Sequence, residues 1–164
     1  MTSDRQQLIR DSWRALEPNG PRLVELALLH LLQIAPAARP LMTGRSLPCV
    51  CRNVASILDQ LIVALDEPKQ FVPLAIGLGR SNPDHGINAA LYPAMGEALL
   101  WALHLQLGEG LTPELQTAWL EYHHLVSAIM RRAEQSRTGE FERFRTGEFA
   151  AFQSSVAKEA QLSE

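Results

Sequence analysis

Apolar residues recur at spacings of three and four along nearly every long segment of the chain, and no segment keeps a strict two-residue alternation. The first spacing places apolar side chains on one face of a helix, whereas the second is typical of strands. The pattern therefore predicts an all-α fold. Its clearest instance is an apolar stripe of about four helical turns, formed by Val50, Val54, Ile57, Leu58, Leu61, Ile62 and Leu65.

Proline in a first turn, and Asn, Asp or Thr just before one, mark where helices begin. The best start signals are Asp66 before Pro68, Asn88, and Thr112 before Pro113. Turn-forming residues at 81–86 should end the fourth helix. We predict helices near 3–17, 20–35, 48–65, 67–81, 89–107 and 113–134, with a short turn after Pro36.

The last segment of the chain differs from the rest because it contains an internal repeat, Arg-Thr-Gly-Glu-Phe, at 137–141 and again at 145–149. We therefore predict a domain at 1–135 and a C-terminal amphipathic extension at 136–164. A helix there would bring four phenylalanines within a sector of roughly 140°. This stripe could dock on its own domain, or bind a protein partner or a second copy of the chain. Its members are Phe141, Phe144, Phe149 and Phe152.

Composition and charge narrow the candidate functions. The chain has 164 residues, of which 46% are apolar, and a formal net charge of -3. Such a charge gives no broad positive field for nucleic acid or an anionic membrane. The most apolar run, 23–35, contains Glu25, His30 and Gln33 and is shorter than the roughly 20 residues of a membrane span. With no secretory signal visible, we expect a cytoplasmic protein without membrane insertion.

The residues give no indication of an enzyme. We find no nucleophile-base-acid grouping, no phosphate-binding glycine loop and no carboxylates with metal-ligand spacing. Cys49 and Cys51 lie too close in sequence for a loop-closing disulfide and do not complete a four-ligand metal site. We interpret them as small apolar side chains near the start of a helix.

A series of short sequence motifs, in nearly gap-free order over residues 5 to 133, resembles the globin family. The similarity is strongest to neuroglobin-like and bacterial single-domain globins, and it implies the globin fold. The words are Leu8-Ile9-Arg10-Asp11-Ser12-Trp13-Arg14-Ala15, Ile34-Ala35-Pro36-Ala37-Ala38-Arg39-Pro40-Leu41-Met42, Leu78-Gly79-Arg80, Gly86-Ile87, Gly96-Glu97-Ala98-Leu99-Leu100, Thr112-Pro113 and Ala118-Trp119.

The resemblance also implies a haem pocket between the helices at 48–65 and 67–81, with an iron-ligating histidine near the end of the second. Asn82 stands at that position, and a carboxamide is a poor ligand for haem iron. Met42 corresponds to the phenylalanine that packs on the porphyrin, and Val50 to the distal histidine or glutamine. The segment after Met42 is also shorter than in most relatives. Together these departures predict a degenerate haem site without a cofactor.

Two histidines near this site leave an alternative open. His85 lies three residues beyond Asn82 and could reach the pocket if the helix slipped by a turn, although Pro83 and Gly86 argue against it. It is the candidate iron ligand if haem binds. His123 lies where the resemblance places an aromatic residue at the pocket floor, and we interpret it as a hydrogen-bonded core residue.

The leading hypothesis is therefore a non-enzymatic globin-fold sensor, ligand-binding or protein-interaction module, with a small apolar molecule as a candidate ligand. The first alternative is an atypical haem globin for gas binding or electron transfer, ligated by His85. Nitric-oxide dioxygenation would require that haem and an external reductase. The second alternative is a structural subunit associating through the phenylalanine stripe. The pocket positions implied by the resemblance are Leu28, Met42, Val50, Val54, Leu78, Asn82, His85, Ile87, Leu91, Tyr92, Met95 and His123.

Overall fold

A computed structural model describes residues 1–135, which form six α-helices and contain no β-strand. The prediction of an all-α fold is therefore confirmed for this part of the chain. The phenylalanine stripe of the predicted extension lies outside the described residues, and its role stays a prediction. The helices are α1 (Ser3–Leu16), α2 (Gly20–Ile34), α3 (Leu47–Val63), α4 (Pro68–Ser81), α5 (Tyr92–Leu107) and α6 (Pro113–Gln135).

Short 3₁₀ helices connect several of these elements, at Glu17–Asn19, Pro36–Met42, Asn82–His85, Ala89–Leu91 and Gly108–Gly110. The turn expected after Pro36 is thus a longer 3₁₀ segment. The fifth helix starts at Tyr92 instead of 89, because Asn88 caps a 3₁₀ turn by accepting a hydrogen bond from the Ala90 amide at 3.0 Å. Pro93 then occupies the first turn of α5, where its missing N–H leaves no gap in the helix.

The helices pack in two principal contacts, α2 against α5 and α4 against α6, with α3 and α1 alongside. One buried cluster is centred on Trp119, Tyr122 and Phe71, and a second lies between α2, α3 and the Pro36–Met42 segment. The Trp119 indole donates to the Ser12 hydroxyl at 3.1 Å, which ties α6 to α1. These clusters leave a space between them that forms the candidate site.

The crossing of α4 and α6 requires glycine at position 79. A Cβ added to Gly79 would lie 2.5 Å from the Met130 carbonyl oxygen and 2.7 Å from the Met130 Cα. Both atoms belong to the backbone of α6 and cannot move aside independently. Gly79 therefore sets how closely the end of α4 approaches α6.

No single helix within residues 1–135 is both long enough and apolar enough to cross a membrane. One bent pair, Pro36–Met42 with Leu47–Val63, meets the length and composition requirements together, with 97° between its two parts.

Replacing Gly79 with alanine should lower the free energy of unfolding by about 1–3 kcal/mol, because the added methyl group forces the two helices apart. Gly77→Ala is a matched control in the same helix, where an added Cβ meets nothing within 4 Å. It should raise stability by about 0.5–1 kcal/mol through helix propensity. Chemical denaturation of both variants measures these changes, and equal effects would contradict the close-packing argument.

Candidate functional site

A largely apolar cavity of about 530 Å³ lies among α2, α3, α4, α5 and α6. Its volume is within the range typical of pockets for small molecules and cofactors, roughly 300–1,000 Å³. The pocket therefore remains open in this chain. Most of the positions implied by the resemblance line it, namely Leu28, Val50, Val54, Leu78, Asn82, His85, Ile87, Met95 and His123.

Three of the implied positions lie outside this lining. Met42 and Leu91 pack in the cluster formed by α2, α3 and the Pro36–Met42 segment. Tyr92 is completely buried and contacts Asn82 instead of the cavity. Met42 is the last residue of a 3₁₀ segment that packs against α2. Tyr92 is the first residue of α5, and its hydroxyl points toward Glu134 on α6.

Asn82 is 7% exposed and is held by two contacts of its side-chain amide. Its Nδ2 donates to the Tyr92 hydroxyl at 3.2 Å and approaches the Met130 sulfur at 3.3 Å. The Tyr92 hydroxyl in turn donates to the Glu134 carboxylate. Burial and this carboxylate raise the pKa of Tyr92, so the phenol stays protonated. Asn82 is therefore a structural polar group in the cavity wall.

The Arg131 guanidinium lies over the Tyr92 ring, with its central carbon 5.8 Å from the centre of the ring. A cation over an aromatic face is attractive. The hydrogen bonds and the cation together fix Tyr92, and through it the amide of Asn82.

His85 reaches the cavity because the chain after α4 continues as a 3₁₀ turn, Asn82–His85. Side chains three residues apart eclipse one another in a 3₁₀ helix, so Asn82 and His85 lie on one side. Pro83 fits the first turn of this segment, and Gly86 ends it in the left-handed conformation at φ 77°. α4 therefore ends at Ser81, as the turn-forming residues at 81–86 predict, and a 3₁₀ turn instead of a continued helix places His85 at the cavity.

The mouth of the cavity carries a contact between Arg45 and His85. Arg45 Nη2 lies 2.6 Å from His85 Nδ1. Both side chains are exposed on their outer sides and contribute to the cavity lining. Among the described lining residues, Arg45 is the only Asp, Glu, Lys or Arg, so the one fixed charge at the cavity is positive.

The floor of the cavity carries His123 on α6. Its Nε2 lies 3.3 Å from the Ser127 hydroxyl, and its ring packs so closely on α5 that a Cβ at Gly96 would lie 2.7 Å from Nδ1. Burial lowers the pKa of His123 to about 4, with smaller contributions from His124 and Arg131. The imidazole is therefore neutral at pH 7, and its interpretation as a hydrogen-bonded inward residue fits its contacts.

Tyr122, next to His123, has a polar group without a partner. It is 2% exposed and lines the cavity, and its hydroxyl makes no hydrogen bond within the part of the chain that the structure describes. An unsatisfied buried hydroxyl costs about 1–3 kcal/mol. Burial also raises the pKa of Tyr122, so the group remains a neutral hydrogen-bond donor.

Sequence reasoning did not identify Arg45 or Tyr122 as site residues. Arg45 lies in the short loop after Met42, whose path depends on Gly44 at φ 70° and on contacts with residues about 40 positions away. Tyr122 precedes Val126 by four positions on the inward face of α6, and that spacing is a signal that could have found it. Cys49 is exposed at the cavity rim, while Cys51 is buried, which raises its pKa.

Metal-ligating side chains do not cluster in residues 1–135: no group of three or more His, Cys, Asp or Glu there could hold a metal ion.

No protein-family model matches the chain. Neuroglobin-2 of Oncorhynchus mykiss is 31% identical over 145 residues, which cover 80% of this chain and 91% of that protein. The chain belongs to the globin family. Neuroglobin of Danio rerio is 28% identical to this globin over 138 residues, covering 76% of it and 87% of the relative.

Solved structures agree on the fold. A hexacoordinated haem protein from an anhydrobiotic tardigrade superimposes with a TM-score of 0.73 and 15% identity, covering 83% of this globin and 96% of that chain. The prediction of the globin fold is confirmed.

The prediction that the chain has no cofactor is wrong. The relatives are neuroglobins, and the structural neighbour is a haem protein. The error lay in treating the substitution at Asn82 as decisive, although the pocket in this globin persists and includes two imidazoles, those of His85 and His123.

The depressed pKa of His123 should make the protein less stable in acid. Between its folded pKa of about 4 and an ordinary value near 6.5, the unfolded chain binds a proton that the folded chain does not. Stability should therefore fall as the pH drops from 6.5 to 4, by up to roughly 3 kcal/mol at about 1.4 kcal/mol per pKa unit. Urea unfolding at pH 7 and pH 4.5 measures this loss.

His123→Phe should remove most of that pH dependence, whereas His124→Gln at an exposed position should retain it. An unchanged slope in His123→Phe would show that another group causes the acid sensitivity.

Removing the Tyr122 hydroxyl should stabilise the haem-free protein or leave it unchanged, because the group has no partner to lose. Tyr92→Phe removes a hydroxyl that bonds both Asn82 and Glu134, and should cost about 1–2 kcal/mol. Thermal unfolding of both variants compares them. If the loss of the Tyr122 hydroxyl cost more stability than the loss of the Tyr92 hydroxyl, the hydrogen-bond partners assigned to these two groups would be wrong.

Proposed function

We propose that this globin binds haem, that His85 supplies the iron-ligating imidazole, and that the protein serves non-enzymatic gas binding or electron transfer. The observation that carries the proposal is the open apolar cavity with His85 at its mouth, on the same side as Asn82. The cytoplasmic location expected from composition remains a prediction.

The residues around the cavity suit a haem. Its lining is apolar over most of its area, as an extended porphyrin ring requires, and the one described fixed charge there, that of Arg45, has the sign that attracts carboxylates. The Tyr122 hydroxyl has no hydrogen-bond partner within residues 1–135 and could donate to a polar atom of an occupant. When bound, haem would supply an iron centre for a diatomic gas or a one-electron couple.

Asn82 does not compete for the iron in this proposal. Its Nδ2 is engaged by Tyr92 and Met130, and an amide coordinates iron poorly. The residue keeps one wall of the cavity in place. The imidazole comes instead from His85, three residues after Asn82, because the 3₁₀ turn brings both side chains to the same face.

The other side chains prepare the environment. Val50, Val54, Leu78 and Val126 line the cavity with apolar side chains, which would lower the dielectric constant around a bound group. His123 stays neutral above pH 4 and adds no charge at the floor. The relatives support this proposal because they are neuroglobins, and the structural neighbour is described as a hexacoordinated haem protein.

Titrating the purified full chain with hemin tests the proposal. A sharp Soret band at one equivalent is expected, and His85→Ala should abolish it or strongly broaden it. His104→Ala is a matched control, because His104 is exposed on α5 and lies outside the cavity lining. Circular dichroism should show the same helical content in all three proteins.

Two outcomes would overturn parts of the proposal. A broad free-hemin spectrum with the wild-type protein would reject haem binding. A band that survives His85→Ala and disappears in His123→Ala would retain haem and reject the assignment of His85 as ligand.

A further inference from the structure

We propose that the haem-free cavity binds a compact, mostly apolar molecule through one O–H or N–H group, and that the side-chain oxygen of Asn82 accepts that hydrogen bond. Glu134, which lies outside the cavity lining, is the positioning residue that turns this oxygen toward the ligand. The inference goes beyond the proposed function and does not require haem to bind.

The orientation of the Asn82 amide follows from the protons available to its neighbours. The Tyr92 hydroxyl has a single proton and donates it to the Glu134 carboxylate. Burial and the bond to Glu134 raise the pKa of Tyr92, so the phenol keeps this proton. The Tyr92 oxygen can then only accept from Asn82. Since only the NH₂ group of an amide donates, Nδ2 must be the atom at 3.2 Å from it.

The Met130 sulfur makes the same demand on the amide. A thioether has no proton to donate and acts only as a weak acceptor, and this one lies 3.3 Å from Asn82 Nδ2. A flipped amide would place its oxygen against two groups that cannot donate to it. Glu134 therefore fixes the orientation of Asn82 through Tyr92.

The oxygen of the Asn82 amide is the part of the side chain that remains for a ligand. Both contacts of this amide within residues 1–135 involve Nδ2, and Oδ1 is not among the fully buried polar atoms that lack a partner there. Oδ1 therefore borders accessible space. Asn82 is 7% exposed and lines the cavity, so this oxygen is an acceptor for a group inside it.

The rest of the lining sets the class of ligand. Apolar side chains from three helices, among them Leu78, Met95 and Val126, line the cavity together with Asn82. The space of about 530 Å³ suits a small molecule. The apolar body of such a ligand gains by leaving water, whereas its polar group loses a hydrogen bond unless the protein supplies one. Asn82 Oδ1 supplies it to an O–H or N–H group.

Indole and indene are probes of similar size that test the acceptor, because indole has an N–H group where indene has CH₂. Calorimetric titration of the full chain without haem gives both dissociation constants. The preference for indole over indene should be about fivefold greater in the wild type than in Asn82→Leu, since one net hydrogen bond has roughly that effect. The side-chain NH₂ signals of Asn82 in nitrogen-15 NMR spectra should shift with indole.

Replacing Glu134 tests the positioning. In Glu134→Leu the Tyr92 proton becomes available to Asn82 Oδ1, so the amide should turn and the preference for indole should fall as in Asn82→Leu. Glu134→Gln keeps an acceptor for Tyr92 and should retain part of the preference. Glu114→Leu is a matched control, because Glu114 is exposed in the first turn of the same helix and lies outside the cavity lining. Circular dichroism should show equal helical content in all variants.

The outcomes are decided without haem. A preference for indole that is equal in the wild type and Asn82→Leu would overturn the acceptor assignment, and so would a wild-type protein that binds neither probe. A preference lost in Asn82→Leu but kept in Glu134→Leu would reject Glu134 as the positioning residue. Failure of hemin to bind would reject the proposed function alone, because both probes are measured on the haem-free chain.

Discussion

The close crossing of α4 over α6 at Gly79 is the contact on which the candidate site depends. Because the backbone of α4 meets that of α6 at Met130 with no room for a Cβ, the end of α4 has one position relative to the last helix. That position brings Asn82 to Met130 and Tyr92. It also starts the 3₁₀ turn from which His85 reaches the cavity mouth. A looser crossing would displace both residues together.

The arginine, histidine and tyrosine side chains of the cavity lie in two separate regions of its lining. At the mouth, Arg45 and His85 are exposed, and Arg45 Nη2 lies 2.6 Å from His85 Nδ1. At the floor, burial keeps His123 neutral and Tyr122 protonated. The two histidines thus differ in their surroundings: His85 is exposed beside a guanidinium, whereas desolvation lowers the pKa of the inward His123.

The substitution at position 82 has a different meaning in the folded chain than in the sequence. In the sequence alone, Asn82 stands where the resemblance places the iron-ligating histidine and therefore indicates that this ligand is missing. In the structure it belongs to a chain of contacts through Tyr92 to Glu134, with Arg131 over the ring. The amide of Asn82 donates there to the Tyr92 hydroxyl and the Met130 sulfur. The cavity stays open with Asn82 in its wall.

The sequence by itself determined the helices, the globin fold and the unusual residue at position 82. These follow from apolar spacing, proline and cap positions, and the order of short words, all of which are local properties of the chain. Pro83 and Gly86 correctly predict the end of α4, which ends at Ser81, but they do not predict the 3₁₀ turn that follows it. Only the tertiary structure decided that the cavity is open, that Arg45 contacts His85, that Met42 lies outside the lining and that the Tyr122 hydroxyl has no partner. Each of these depends on how segments far apart in sequence pack, and local propensities contain no information about such distances.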